Sequence, residues 1–160
     1  MVTGLEIAAT VAGLAKFLLD LIDLATSLAR SVPKCKGLLR DLETLLKVLE
    51  RIRDDYGRTI SLLQPRGASG LQVVNSLLAR CIDDCGLTCR EYNRILTAVL
   101  KSKIRPLRWR SSQEDLKYAS ARLEANKSTL TLCLSSIRLG CFHRLPRKRK
   151  CRIDELGLTS

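Results

Sequence analysis

The sequence predicts an all-α fold: a single bundle of four to five long antiparallel helices, followed by a mobile basic C-terminal tail. Leucine dominates the apolar content while Phe, Trp and Tyr together make up only 4% of the 160 residues. That balance favours helix-on-helix packing over a sheet core rich in β-branched and aromatic side chains. Apolar residues recur at spacings of three and four over long stretches, and Pro33, the string QPRGASG at 64–70 and Pro106 divide those stretches. With 46% hydrophobic residues and mean hydropathy of +0.01, the chain can bury one sizeable core. One domain is expected over 1–140, with the tail at 141–160.

The first helix is expected from Leu5 to Arg30, ended by Pro33, which cannot continue a helix and extends the residue before it. Glu6 and Lys16 are the only charged side chains in its first nineteen residues. Ile7 to Leu19 spans only about 20 Å as a helix, against about 30 Å of bilayer hydrocarbon, so no constitutive transmembrane helix is expected. Gly4, Ala8 and Ala12 form one row of small residues at helical spacing, and Ala9 and Gly13 another. Such rows let helix backbones approach closely, in lipid or inside a bundle. Both readings hold for a helix buried at rest and released later.

The second helix begins near Lys34. Leu38, Leu42, Leu45, Leu49, Ile52 and Tyr56 alternate spacings of four and three, a coiled-coil seam that Leu39, Leu46 and Leu63 widen to a buried face. After the loop at 64–70, a third helix carries Leu71, Val74, Leu77, Leu78, Cys81, Ile82, Cys85, Cys89, Tyr92, Leu96 and Leu100, with a bend expected near Gly86. The basic stretch from Lys101 to Arg110 reads as a linker or short helix that turns Ile104, Leu107 and Trp109 toward the core. Ser111 and Glu114 then fit a capping box that starts the last long helix. Its apolar residues Leu116, Leu123, Leu130 and Ile137 repeat every seven, joined by Ala119 and Cys133, and Gly140 is expected to end it.

The formal charge of +12 and pI near 9.8 attract anionic partners: nucleic acid, anionic lipid or an acidic protein. Residues 1–30 carry Lys16 and Arg30 against Glu6, Asp20 and Asp23, so the positive excess lies downstream. Seven cysteines is an odd number, and the N-terminus lacks the basic region of a secretory signal, so free thiols in a reducing cytoplasm are expected.

No constellation points to catalysis. Cys81, Cys85 and Cys89 share one helix stripe, but no second ligand pair accompanies them or His143, so they read as small buried hydrophobes rather than a metal site. His143, the only histidine, has no carboxylate or nucleophile beside it in sequence. Phosphate loops, dinucleotide fingerprints and zinc-protease motifs are lacking, so neither enzyme activity nor a cofactor is expected. Arg147, Lys148, Arg149 and Lys150 form a basic run that suits a nuclear import signal, an anionic-lipid contact or a solvated tail. Trp109, between Arg108 and Arg110, reads as a core anchor.

The stretch at 105–137, RPLRWRSSQEDLKYASARLEANKSTLTLCLSSI, resembles the last helix of fungal STAND-receptor N-terminal domains of the HeLo-like group. Lys127-Ser128-Thr129-Leu130-Thr131-Leu132 matches its Lys-Ser/Thr-x-Leu-x-Leu core, GLEIAATVAGL resembles its first helix, and Leu77, Leu78, Cys81 and Cys85 its third. The resemblance spans about 2–139. It implies a bundle related in architecture to that of the mixed-lineage kinase-like pseudokinase, acting as a cell-death effector in fungal incompatibility or innate immunity. In that group an upstream NLR-type receptor or a prion-like motif oligomerises the bundle, and the N-terminal helix then attacks the membrane.

The expected function is therefore membrane targeting and disruption, moving from cytoplasm to an anionic membrane such as the plasma membrane once the chain assembles as a homo-oligomer. Gly4, Ala8, Ala12 and Gly13 would pair helices in lipid, and Leu5, Ile7, Val11, Leu14, Phe17 and Leu18 would meet hydrocarbon. Arg105, Arg108, Arg110 and the run Arg147 to Lys150 would contact anionic lipid first. The runner-up is a non-toxic oligomerisation adaptor, and nucleic-acid binding, resting on charge alone, ranks last.

Overall fold

The computed structural model describes residues 4–63 and 69–144, with side-chain detail for 4–58 and 72–138. Five helices and no strand form among the described residues: α1 (Gly4–Ala29), α2 (Cys35–Leu63), α3 (Ser69–Lys101), the short α4 (Arg105–Ser111) and α5 (Gln113–Arg144). The all-α bundle expected from the periodicity is the observed fold.

Around the bundle, α1 touches α2 and α3, and α5 completes the ring by touching the same two helices. The short turn between α1 and α2 makes them antiparallel. Its backbone closes through Val32 N–H to Leu28 O at 2.8 Å and Cys35 N–H to Val32 O at 2.9 Å. Val32 and Cys35 are buried beneath it, the Cys35 thiol donating to Ala25 O at 3.6 Å. At the other end of the bundle the Tyr56 hydroxyl on α2 donates to Asn75 Oδ1 on α3, a buried pair. There, too, Arg138 Nε on α5 donates to Asp55 Oδ2 on α2 at 2.7 Å. Lys127 on α5 lies 3.7 Å from Asp41 on α2 and also pairs with Glu124.

The seam on α2 forms as its spacing predicts: Leu42, Leu45, Leu49, Ile52 and Tyr56 are buried, with Leu38, Leu39 and Leu46 packed against them. On α5, Leu116, Ala119, Leu123, Leu130, Cys133 and Ile137 are buried. On α3, Leu78, Cys81, Ile82, Cys85, Cys89, Tyr92 and Leu96 fill the core, but Leu77 is half exposed, because a face bounded by two neighbours is narrower than the full apolar row.

Two helix boundaries differ from expectation. Ser111 makes no capping box: its hydroxyl donates back to Arg108 O at 2.9 Å as the last residue of α4. Ser112 occupies the junction instead, its carbonyl accepting from Leu116 N–H at 2.9 Å while its hydroxyl also turns back to Arg108 O. Gly140 does not end α5, which continues to Arg144 and so takes in the first residues assigned to the tail. A mid-helix glycine costs only about 1 kcal/mol, which a long packed helix absorbs.

Candidate functional site

The site is built at the end of the bundle where α1 gives way to α2 and α3 to α4. Pro106 opens α4, where its missing N–H costs nothing, and the helix lasts only seven residues. With barely two turns it commits one side chain to the core: Trp109 is 6% exposed. Ile104 and Leu107 do not follow it inward as expected; they are 61% and 59% exposed. At about 100° per residue, a helix that buries position 109 must turn 107 and 104 away from it.

Arg105 is the hinge pin of this end rather than a free cation. Half-buried, it donates from Nε to Leu100 O at 3.3 Å and from Nη1 to Ser31 Oγ at 3.4 Å, joining α4 to the α1–α2 turn. Arg108 and Arg110 are exposed, as a lipid contact requires. The Arg105–Ser31 link also brings in cations the sequence reading missed: Arg30 and Lys34 in the α1–α2 turn, Lys36 and Arg40 at the start of α2, and Lys101 and Lys103 before α4, all exposed. Together with Arg105, Arg108 and Arg110 they make nine cations, and neither 24–40 nor 101–112 contains a carboxylate. Asp23 and Asp41 border the first stretch, Asp41 lying 3.7 Å from Lys127, and the second is followed by the acids that open α5, where Glu114 pairs with Lys117 at 3.6 Å and Asp115 approaches Arg94 at 3.8 Å.

The ten residues expected to bind membrane on the first helix do not form one surface. Ile7, Val11, Leu14 and Leu18 are buried, Gly4, Ala8 and Phe17 are half-buried, and only Leu5, Ala12 and Gly13 are exposed. The small-residue rows are thus split between core and solvent. Gly13, with Leu14 and Phe17, faces Gly86 across a groove of about 360 Å³ between α1 and α3. Since 26 helical residues extend about 38 Å, Gly4 and Arg105 lie at opposite ends of the bundle. The two halves of the expected membrane surface are therefore not adjacent. Arg147 to Lys150 lie outside the described residues.

No family model matches the chain, and no curated protein or solved structure is significantly similar to it. The chemistry must be read from the molecule itself. No helix among the described residues is long and apolar enough to cross a membrane. Nor does any cluster of His, Cys, Asp and Glu there stand ready to hold a metal.

The cysteines of the core are buried free thiols. Burial pushes Cys35 up to about 11 and Cys89 up to about 12, while Cys85 rises because Cys81 takes its thiol as a hydrogen-bond partner and because it is buried. Thiols held in that way are poor nucleophiles.

Proposed function

We propose that the chain is a helical bundle that docks on anionic membrane surfaces through its α4 end, as the first step of an oligomerising cell-death effector of the kind the resemblance implies. The observation that carries this reading is Ile104 and Leu107 standing exposed within the stretch 101–112, which holds five cations and no carboxylate. Each Lys or Arg near an anionic leaflet contributes about 1 kcal/mol, and each half-exposed aliphatic that enters the interface about as much again. A few of each give reversible docking that weakens with salt.

The aliphatic pair favours a bilayer over nucleic acid, where apolar side chains gain little from a phosphate backbone, and Trp109 is buried and offers no base a stacking face. Membrane attack by α1 is a separate and costlier step. It would strip Ile7, Val11, Leu14, Leu18, Leu21, Ala25 and Leu28 from the core, a loss on the order of 10 kcal/mol, comparable to the stability of a whole domain. Docking and assembly must supply that free energy before α1 can leave.

The test is flotation with vesicles. The chain should rise with phosphatidylserine-containing vesicles at about 0.1 M salt and stay behind with pure phosphatidylcholine. Indifference to lipid charge would favour the adaptor reading.

A further inference from the structure

The outer face of α3 carries a second seam that the bundle leaves uncovered. Val73, Leu77, Arg80, Asp84, Leu87 and Glu91 follow spacings of four, three, four, three and four, so they align along one side of the helix as the seam of a coiled coil does. The core side of α3 is a different stripe, in which Leu78, Ile82, Cys85, Cys89 and Tyr92 are buried. On the outer seam Val73 is 71% exposed, and Leu77 and Leu87 are each half exposed. Arg80 and Asp84 are exposed as well, and the ion pairs among the described residues include neither of them.

Turned end for end, this seam matches itself. With two copies of α3 antiparallel and the two-fold axis level with Ile82, Leu77 falls opposite Leu87, Arg80 opposite Asp84 and Val73 opposite Glu91, each pair occurring twice. Sliding one helix by seven residues sets Leu77 against Arg94 and Asp84 against Leu87. A parallel pair sets Arg80 on Arg80 and Asp84 on Asp84. Direction and register are therefore both selected by which charges end up unmatched. Charge also selects the face. Two copies of a chain carrying +12 repel over most of their surface, but from Val73 to Arg94 the charges cancel, with Arg80, Arg90 and Arg94 against Asp83, Asp84 and Glu91.

We propose that the outer face of α3 is a self-association surface, on which a second copy of this chain docks antiparallel about a two-fold axis, its Leu87 on Leu77 and its Asp84 on Arg80. The seam from Val73 to Glu91 rises about 27 Å. A contact of that length buries on the order of 1,000 Å² in total, the low end for specific association, so the dimer is weak and forms where copies are concentrated. The leucine contacts supply affinity and the ion pairs fix register and partner. The surface is on a different helix from Ile104 and Leu107 and needs no lipid, so it stands or falls apart from membrane docking.

Sedimentation equilibrium of the full chain without lipid, from roughly 10 µM to 1 mM as a weak dimer requires, should show a monomer–dimer equilibrium. Arg80→Asp and Asp84→Arg should each weaken the dimer roughly tenfold, because each sets like charges face to face twice. The first should do so even though it lowers the overall charge. Mixed in equal amounts, the two variants should recover dimer to within about threefold of the original chain, since each copy then meets the opposite charge on the other. Leu87→Gln, at an exposed position, should also weaken the dimer while leaving the helical circular dichroism unchanged. A chain that stays monomeric over the whole range would overturn the proposal. So would a dimer that tolerates both charge reversals, or one lost in each variant and not regained on mixing. Vesicle flotation is scored separately, and a monomeric chain that still floats leaves the docking reading intact.

Discussion

Leu107 and Trp109 sit two residues apart on α4 and face opposite ways: Trp109 closes the core at 6% exposure while Leu107 is 59% exposed among cations. One short helix thereby serves as a plug on its inner side and as an apolar, basic surface on its outer side. Replacing both Ile104 and Leu107 with Asp should abolish flotation with anionic vesicles and leave the melting temperature within a few degrees, since exposed substitutions stay within about 0.5 kcal/mol. A variant that still floats would remove the aliphatic pair from the docking account.

Lys103→Gln combined with Arg108→Gln should lower partitioning onto phosphatidylserine vesicles roughly 30-fold, because two cations contribute about 2 kcal/mol in total. Arg105→Gln should behave differently. Its guanidinium holds Leu100 O and Ser31 Oγ, so its loss should loosen α4 and lower the melting temperature as well as binding. Thermal melts of the two variants separate these roles.

The fold was legible because its signal is long. About four turns of Leu42, Leu45, Leu49, Ile52 and Tyr56 leave one face to bury, and about six turns of Leu116, Leu123, Leu130 and Ile137 do the same on α5. The candidate site was legible only in part. Arg108 and Arg110 are where a basic stretch should put them, but seven residues are too few for periodicity to say which side chain enters the core, and Trp109 excludes Ile104 and Leu107 from it. Adjacent serines blurred the start of α5, since either could cap it and neither hydroxyl does. Arg30, Lys34, Lys36 and Arg40 join the site through the ring order of the helices, which no local pattern encodes. The separation of Gly4 from Arg105 follows from the same order.

On α1, Leu18→Ala should cost about 2–5 kcal/mol in chemical denaturation, as deleting a fully buried leucine leaves a cavity. Its neighbour Leu19 is half exposed, and Leu19→Ala should cost well under 1 kcal/mol. Equal losses at the two positions would contradict the observed packing of α1.

Gly13→Ala should stabilise the bundle by about 0.5–1 kcal/mol, because a side chain there meets nothing within 4 Å and the helix loses a flexible residue. For the same reason Gly13→Glu should fold normally. It therefore tests membrane attack by α1 without unfolding the protein: dye leakage from anionic vesicles should fall in this variant while flotation persists.

Stability should fall in alkali. Burial raises Cys35 from 9.0 to about 11 and Cys89 from 9.0 to about 12, so the native state keeps protons that the unfolded chain releases above pH 9. Their contribution is intact below pH 9 and declines as pH rises through about 11, the value for Cys35. Denaturant midpoints between pH 7 and 10.5 should stay level and then drop, and Cys35→Ala should shallow the drop.

The account rests on the α4 end, not the amino-terminal end, meeting the membrane first. In a Trp109→Phe background, a tryptophan introduced by Leu107→Trp or by Leu5→Trp reports on one end of the bundle at a time, since both leucines are exposed. Mixed with phosphatidylserine vesicles, the Leu107→Trp protein should show a blue-shifted, enhanced emission while the Leu5→Trp protein stays as in buffer. A shift at position 5 with none at position 107 would contradict the account and put the amino-terminal helix at the membrane from the outset.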